Sequence, residues 1–313
     1  MTGKDIYDLI VMGAGPAGLT AGIYAGRFGL RTLILEAQTI GGRTSEASWV
    51  ENYPGFPEGI VGAELIKRMF EQASKFGSEI KQSEEAVDLD LGGEFKIVTT
   101  RESAYRCWAL IIATGTQRKK LRVQGETQFI GRGVSYCSTC DGHFFKGLRV
   151  AVVGSGEDAV ADALILADLA KEVLLVTQGK ELEAFGEKKQ KILEKKNLEI
   201  VSGEVAAILG ENAVKSIRIV DPASELEKVK DVNGVFIALG GVPMTEIVKK
   251  AGIALDAGGC IMVDRFQRTN VEGVFAAGDC TCGGMQIVTA AGEGAMAALK
   301  ASPYVKRRKT MQC

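Results

Sequence analysis

The sequence predicts an α/β protein made of two Rossmann-like nucleotide-binding domains, the second inserted into the first. Three observations carry that expectation. A strand, a glycine-rich turn and a helix open the chain, the same order starts again about 140 residues later, and a similar segment recurs near the end. The 313 residues suffice for about two domains at ~100–200 residues each.

Asp8–Met12 is a short apolar run of the buried-strand kind. A glycine-rich turn, a helical stretch from Pro16 to Phe28 and a second apolar run, Thr32–Leu35, complete a β-α-β unit. Leu65, Ile66, Met69, Phe70, Ala73 and Phe76 then recur at helical spacing between Gly62 and Phe76. From Ala86 to Thr100 the pattern is strand-like around a Gly92-Gly93 turn, and Ala109–Ala113 is another buried strand ended by Thr114-Gly115. Arg149–Val153, Gly154-Ser155-Gly156, Glu157–Ala170 and Glu172–Thr177 repeat the strand, turn, helix and strand order. Val235–Leu239 with Gly240-Gly241-Val242-Pro243 closes this second unit, and Val274–Lys300 has the character of a return to the first. The expected domains are therefore 1–117 plus 244–313, with 118–243 inserted.

Composition narrows the function. Thirty-eight basic against 39 acidic residues leave a net charge of −1, so no global field favours nucleic acid or an anionic membrane. With 46% hydrophobic and 25% charged residues the chain is not disordered. Glycine is the outlier, at 39 residues against an average near ~7%; with only 6 Pro and no period it points to tight turns rather than collagen. The uncharged stretch Leu9–Gly26 contains five glycines and Pro16 behind Asp5 and Asp8, which reads as strand, turn and helix instead of a membrane span or leader. Seven cysteines (107, 137, 140, 260, 280, 282 and 313) form an odd set in a large chain, unlike a secreted disulfide scaffold. A soluble cytoplasmic protein is the expectation.

Gly13-Ala14-Gly15-Pro16-Ala17-Gly18 fits G-x-G-x-x-G directly after a strand and opening a helix, and Glu36 ends the next strand. The glycines let backbone amides approach a pyrophosphate, the helix N-terminus favours its charge, and the carboxylate accepts from a ribose hydroxyl. Strand, helix and acid together make a dinucleotide site.

Cys137-Ser138-Thr139-Cys140-Asp141-Gly142 is a C-x-x-C loop ahead of the second β-α-β unit. Two thiols at this spacing close a disulfide locally and support thiolate attack near neutral pH, with Asp141 placed to move a proton. The competing reading is half of a zinc site completed by Cys280-x-Cys282, but that second pair has the wrong spacing and the only histidine, His143, is not placed as a ligand.

With these motifs in this order, the chain resembles the low-molecular-weight thioredoxin reductases essentially end to end. The resemblance includes Gly41-Gly42, Val50-Glu51-Asn52-Tyr53-Pro54-Gly55, Ala113-Thr114-Gly115, C-S-T-C-D-G and Ala277-Gly278-Asp279. It implies that the first domain holds FAD. Gly13, Gly15, Gly18 and Glu36 would hold its pyrophosphate and ribose, Asn52 and Gln286 would lie near the flavin, and Asp279 would bind the ribityl chain. Pro16, Ala17, Gly41, Gly42, Thr114, Gly115, Gly278 and Ile287 would also line the FAD site. It further implies two-electron relay from a reduced donor through FAD to the Cys137–Cys140 disulfide and on to thioredoxin or a thioredoxin-like protein. Cys140 would face the flavin. The family works as a homodimer whose second domain rotates, and the segments Gly115–Gln117 and Gly241–Pro243 suit such a hinge.

One part departs from the family. Gly154, Gly156 and Ala159 keep its second turn, G-x-G-x-x-A, and so mark a second nucleotide site. The H-R-R-x-x-x-R run that holds a 2′-phosphate is, however, replaced by Thr177-Gln178-Gly179-Lys180-Glu181-Leu182-Glu183. At ~1.5–3 kcal/mol per charge-assisted bond, losing two or three weakens NADPH binding about a thousandfold or more. Gln178 stands where an NADH enzyme offers Asp or Glu, and Glu157 adds charge beside the pyrophosphate position. The donor thus stays open between NADPH, NADH, reduced deazaflavin, which some archaeal relatives use, and ferredoxin. Arg43 replaces a family glutamine near the flavin, where it would either meet an anionic donor or, the preferred expectation, form a surface salt bridge. Cys280 and Cys282 are expected to be bystanders, and the tail from Lys306 to Cys313 a solvated one. Two rival functions are a flavin electron-transfer protein with an incidental C-x-x-C and a zinc-stabilised binding module without catalysis.

Overall fold

A computed structural model describes residues 6–47, 49–182, 186–222, 224 and 226–311. The chain divides into two units, residues 1–117 with 242–313, and residues 118–241. Unit 1 begins with β1 (Ile6–Met12), α1 (Pro16–Arg27), β2 (Thr32–Glu36), α2 (Gly62–Lys75) and β3 (Glu79–Gln82). It continues with β4 (Ala86–Asp90), β5 (Lys96–Thr100), β6 (Ala104–Ile112) and the crossing strand β7 (Thr116–Arg118). Unit 2 contains β8 (Val134–Ser135), α3 (Ser138–Asp141), β9 (Arg149–Val153), α4 (Glu157–Ala167), β10 (Glu172–Val176) and α5 (Gly186–Glu194). Strands β11 (Leu198–Val201), β12 (Glu204–Gly210), β13 (Val214–Val220), β14 (Glu227–Asp231) and β15 (Gly234–Ile237) follow. The chain returns through β16 (Gly241–Pro243), which pairs with β7, to α6 (Glu246–Lys250), β17 (Val274–Ala276) and α7 (Ile287–Thr310).

The sheet of unit 1 runs β3-β2-β1-β6-β5-β4, with β17 also on β6. β1 is parallel to both neighbours, in register Val11↔Ile34 and Val11↔Ile111. Its residues are almost all buried, as a strand covered on both faces requires. Helix α1 reaches this sheet because it is nearly smooth. Gly18, Gly22 and Gly26 share one face at i, i+4 spacing. A Cβ on Gly22 would lie 2.6 Å from Ile34 Cδ1 of β2, and one on Gly26 would lie 2.3 Å from the Phe76 carbonyl oxygen after α2. On another face Gly294 of α7 presses against Ala17, where a Cβ would stand 2.0 Å from its carbonyl. Glycine content here serves close packing of α1 as well as turns.

Unit 2 repeats the plan with a parallel core, β11-β10-β9-β15-β8, and adds a three-stranded antiparallel sheet, β12-β13-β14. Val150, Val152, Val173 and Leu175 face α4 through Ala159, Val160, Ala163 and Leu166, all buried. The basic segment expected as a solvated tail is instead the end of α7: Lys309 Nζ pairs with Asp8 at 2.9 Å and Arg308 with Glu272 at 3.5 Å. Cations in a last helical turn also complement the helix dipole. Cys313 and Glu183 lie outside the described residues. Among the described residues no helix is long and apolar enough to cross a membrane.

Candidate functional site

The turn after β1 is fixed from three sides. Gly13 N–H donates to Leu35 O at 2.7 Å, Ala113 N–H to Met12 O at 2.7 Å, and Gly41 N–H to Ala14 O at 2.8 Å. Glu36 closes the floor: one carboxylate oxygen accepts from Ala14 N and the other from Gln38 N, both at 2.8 Å. Gly15 is the N-cap of α1, with no capping side chain and no acid in the first turn, which leaves the helix start open to an anion.

The glycines of this turn separate into two kinds. A Cβ on Gly13 would meet Ala113 O at 2.2 Å, and one on Gly18 would meet Gly13 O at 1.8 Å, so the fold itself demands both. Gly15 has an ordinary backbone, φ −75° and ψ −175°, and a Cβ there would meet no atom within 4 Å. The protein alone gives no reason for glycine at 15; a pyrophosphate held against the backbone does.

Further along the same cradle, Arg43 Nη1 donates to Thr116 Oγ1 at 2.7 Å and to Asp279 Oδ2 at 3.1 Å. Its Nε is buried without a partner. Arg43 therefore forms the expected ion pair, with Asp279, but part-buried rather than at the open surface. Asn52 Nδ2 donates to Gln286 Oε1 at 3.1 Å, bringing together two residues 234 apart in sequence. Gly42 starts the 3-10 turn that carries Arg43, and Ile287 is the first residue of α7. Gly278 and Thr281, on either side of Asp279, are held by Glu293, whose Oε2 accepts from Gly278 N at 2.7 Å and from Thr281 Oγ1 at 3.1 Å. Burial pushes the Glu293 carboxyl above its usual range. Thr114 and Gly115 anchor the returning chain: Thr114 Oγ1 donates to Met244 O, and Met244 N–H to Gly115 O. The open backbone at Gly15, the uncapped helix start and the orphaned Arg43 Nε fit an FAD.

In unit 2, Cys137 and Cys140 form a disulfide with Cα atoms 5.3 Å apart. Cys137 caps the short helix α3, and Cys140 N–H donates to its Sγ at 3.2 Å. Asp141 Oδ2 accepts from Ser135 Oγ at 2.6 Å. Ser138, between the cysteines, is buried and donates to Asp162 Oδ1 at 2.5 Å, which pins the loop to α4. Burial raises the Asp162 carboxyl.

The second glycine turn has the same backbone but different charges. Gly156 caps α4 at φ −78° and ψ 177°, close to Gly15, while Glu157 and Asp158 occupy the first turn of the helix. A Cβ on Gly154 would meet Ala238 O at 2.3 Å and the Ala159 methyl at 2.9 Å, so those two positions answer to the packing. Gln178 turns inward, its Oε1 accepting from Val205 N at 2.8 Å. Lys180 and Glu181 are exposed.

Sequence reasoning missed three features. Cys260 and Cys282, set 22 apart, are joined in a second disulfide, so Cys282 is not a free packed thiol. Glu293 and Asp162 sit on helix faces where an acid ordinarily reads as solvated; only their coincidence with apolar neighbours gave a signal. Cys107 and Cys280 are buried thiols with pKa pushed up to about 12 and about 11 by desolvation, which suits inert packing. Among the described residues no group of three or more His, Cys, Asp or Glu is arranged to hold a metal ion.

A dinucleotide cradle in one unit and a C-x-x-C disulfide in the other define a two-electron disulfide oxidoreductase. The family model for pyridine nucleotide-disulphide oxidoreductases matches residues 7–294. A thioredoxin reductase of Listeria innocua is 39% identical over 98% of this chain and 96% of its own length. One from Bacillus subtilis is 40% identical over 98% and 97%. The crystal structure of thioredoxin reductase from Streptococcus pyogenes superposes with a TM-score of 0.91 at 34% identity, covering 97% of this chain and 99% of that one. The chain belongs to the pyridine nucleotide-disulphide oxidoreductases, as an FAD-dependent enzyme of the low-molecular-weight thioredoxin reductase class.

Proposed function

We infer that this enzyme reduces the disulfide of thioredoxin or a thioredoxin-like protein through Cys137 and Cys140. The observation that carries this reading is the closed C-x-x-C bridge with the Cys140 amide aimed at Cys137 Sγ. Bound FAD would supply the pair of electrons that opens the bridge. The Cys140 N–H then stabilises negative charge on Cys137, making it the thiolate that attacks the partner disulfide. Cys140 next attacks Cys137 Sγ in the mixed disulfide, the partner leaves as a dithiol, and the Cys137–Cys140 bond re-forms. Asp141, oriented by Ser135, carries the proton to the departing thiolate. Glycines 13, 15 and 18 with Pro16, Ala17, Gly41, Gly42 and Glu36 take the nucleotide half of FAD. Arg43, Asn52, Asp279 and Gln286 take the ribityl and flavin half, with Thr114, Gly115, Gly278 and Ile287 shaping the backbone around it.

Gln178 spends its side chain on Val205, no arginine follows β10 through Leu182, and two acids open α4. These features favour a donor other than NADPH, of the reduced-deazaflavin or ferredoxin kind. Anaerobic mixing of the oxidised flavoprotein with NADPH, NADH, reduced deazaflavin and reduced ferredoxin tests this by flavin bleaching. Slow or absent bleaching by NADPH is expected, and rapid bleaching at micromolar NADPH would defeat it. A homodimer in the cytoplasm, acting on a small protein substrate, completes the reading.

A further inference from the structure

The second disulfide lies in unit 1, and the chemistry above does not use it. Cys260 ends a tight loop in which Asp256 Oδ1 accepts from both Gly258 N and Cys260 N, and Thr245 Oγ1 donates to Gly259 O. It is buried, at 7% exposure. Cys282 stands at the other end, half-buried and at a left-handed φ of 59°, in the turn that runs from Asp279 to Gln286. Among the described residues, one backbone hydrogen bond also links these segments, Ile261 N–H to Cys280 O at 2.8 Å. The bridge therefore fastens the turn carrying two cradle residues to a loop that takes no part in the cradle.

Its two sulfurs are unequal. Cys282 is the accessible end, flanked by exposed Gly283 and Gly284, whereas Cys260 is enclosed. Cys280, the nearest thiol in sequence, is fully buried and carries its proton at neutral pH, so it does not compete for the bridge. An enzyme that makes dithiols also exposes its own accessible disulfides to them, and such bonds open where the attacked sulfur can be reached.

We propose that Cys260–Cys282 is a second exchange disulfide, opened by the protein dithiol that the enzyme produces, and that opening it loosens the Asp279–Gln286 turn and weakens the hold on flavin. The proposal rests on the function given above. One thiolate of the dithiol attacks Cys282 Sγ, the Cys260–Cys282 bond breaks, and Cys260 leaves as a thiolate that takes a proton. The second thiolate of the dithiol attacks the first across the mixed disulfide and releases Cys282 as a thiol. Two electrons and two protons pass to the pair, and the reductant leaves as a disulfide. Accumulated product thus lowers flavin occupancy, a feedback on the enzyme's own output.

The test uses the intact flavoprotein under anaerobic, non-denaturing conditions, with dithiothreitol as reductant, alkylation, and peptide mass analysis of each cysteine. Free and bound FAD are measured in parallel by fluorescence, both in wild type and in a Cys137→Ala/Cys140→Ala background where only the second pair can open. The expected result is that Cys260 and Cys282 become alkylated and the apparent Kd for FAD rises on the order of tenfold, the worth of one oriented bond. Cys282→Ser should show the weaker affinity before reductant and no further change after it; the dithiothreitol titration stands alone if that variant does not fold. The proposal is overturned if the pair stays closed while Cys137–Cys140 opens, if it opens with FAD affinity unchanged, or if both cysteines are alkylated before any reductant. Failure of Cys137–Cys140 to open would instead strike the function itself, and the alkylation of Cys260 and Cys282 would still decide this point.

Discussion

Exchanging Gly15 for Ala places one methyl group where no protein atom lies within 4 Å, on a backbone that alanine adopts freely. Two small effects on folding then oppose each other. A stiffer unfolded chain favours alanine by ~0.4–1 kcal/mol, and an alanine N-cap costs ~0.5–1 kcal/mol against glycine. The apoprotein melting temperature should move by no more than about 2–4 °C. The same methyl enters the space assigned to the pyrophosphate. Displacing that group from two backbone amides at ~1.5–3 kcal/mol each weakens FAD by roughly 10²–10⁴-fold. Gly18→Ala behaves differently, because its Cβ would stand 1.8 Å from Gly13 O and the strand, turn and helix must part to admit it. There stability falls by ~1–3 kcal/mol or more along with flavin binding. Thermal melts of both apoproteins and FAD titrations by flavin fluorescence distinguish the two. Undiminished FAD affinity in Gly15→Ala would refute the reasoning, since the open space at Gly15 would then hold no ligand.

Cys140→Ser should abolish reduction of thioredoxin by the flavoprotein while leaving its flavin absorbance in place; surviving thioredoxin-coupled insulin reduction would favour the rival electron-transfer role. Cys107 and Cys280, with thiol pKa about 12 and about 11, should resist alkylation in the native protein at pH 8, where their thiolate fractions are ~10⁻⁴ and ~10⁻³; mass analysis after brief iodoacetamide treatment checks this. Glu293 keeps its proton more tightly folded than unfolded, because burial raises it from 4.5. Its stabilising share is full below that value and is lost as pH rises through the folded pKa. Glu293→Gln should therefore flatten the decline in melting temperature from pH 4.5 upward, and an unchanged pH profile would contradict the assignment.

The elements that build unit 1 were legible because each rests on a local signal. Buried runs gave β1, β2 and β6, the i, i+4 apolar positions gave α2, and the glycine turn with Glu36 marked the cradle. The ion pair of Arg43 was expected but its place was not, because residue type alone cannot show that its partner is Asp279, 236 positions away. Helix α7 was read short at Lys300 since its last turns are as charged as a tail; Asp8 and Glu272, distant in sequence, are what tie them down. The Cys260–Cys282 pairing was illegible for the same reason, as sequence gives cysteine number but not which Cα atoms lie 5.8 Å apart. Long-range partners decide all three.

The two glycine turns carry a sharper lesson about charge. Gly15 and Gly156 have almost the same backbone, and Gly13 and Gly154 are both required by a carbonyl just past the end of a neighbouring strand, Ala113 after β6 or Ala238 after β15. The cradle geometry is therefore repeated, and what differs is its electrostatics. The first helix turn bears no acid in unit 1 and two in unit 2, and Glu36 bonds to its own turn where Gln178 bonds to β12. At ~6 Å from a phosphate in water-like surroundings each carboxylate costs ~0.7 kcal/mol. Neutralising both in Glu157→Gln/Asp158→Asn should thus strengthen NADPH binding about tenfold. That leaves most of the roughly thousandfold deficit from the missing guanidinium contacts. The variant should remain poorly reduced by NADPH in stopped-flow measurements. Fast reduction at micromolar NADPH would mean that the two acids, and not the absent arginines, set the choice of donor.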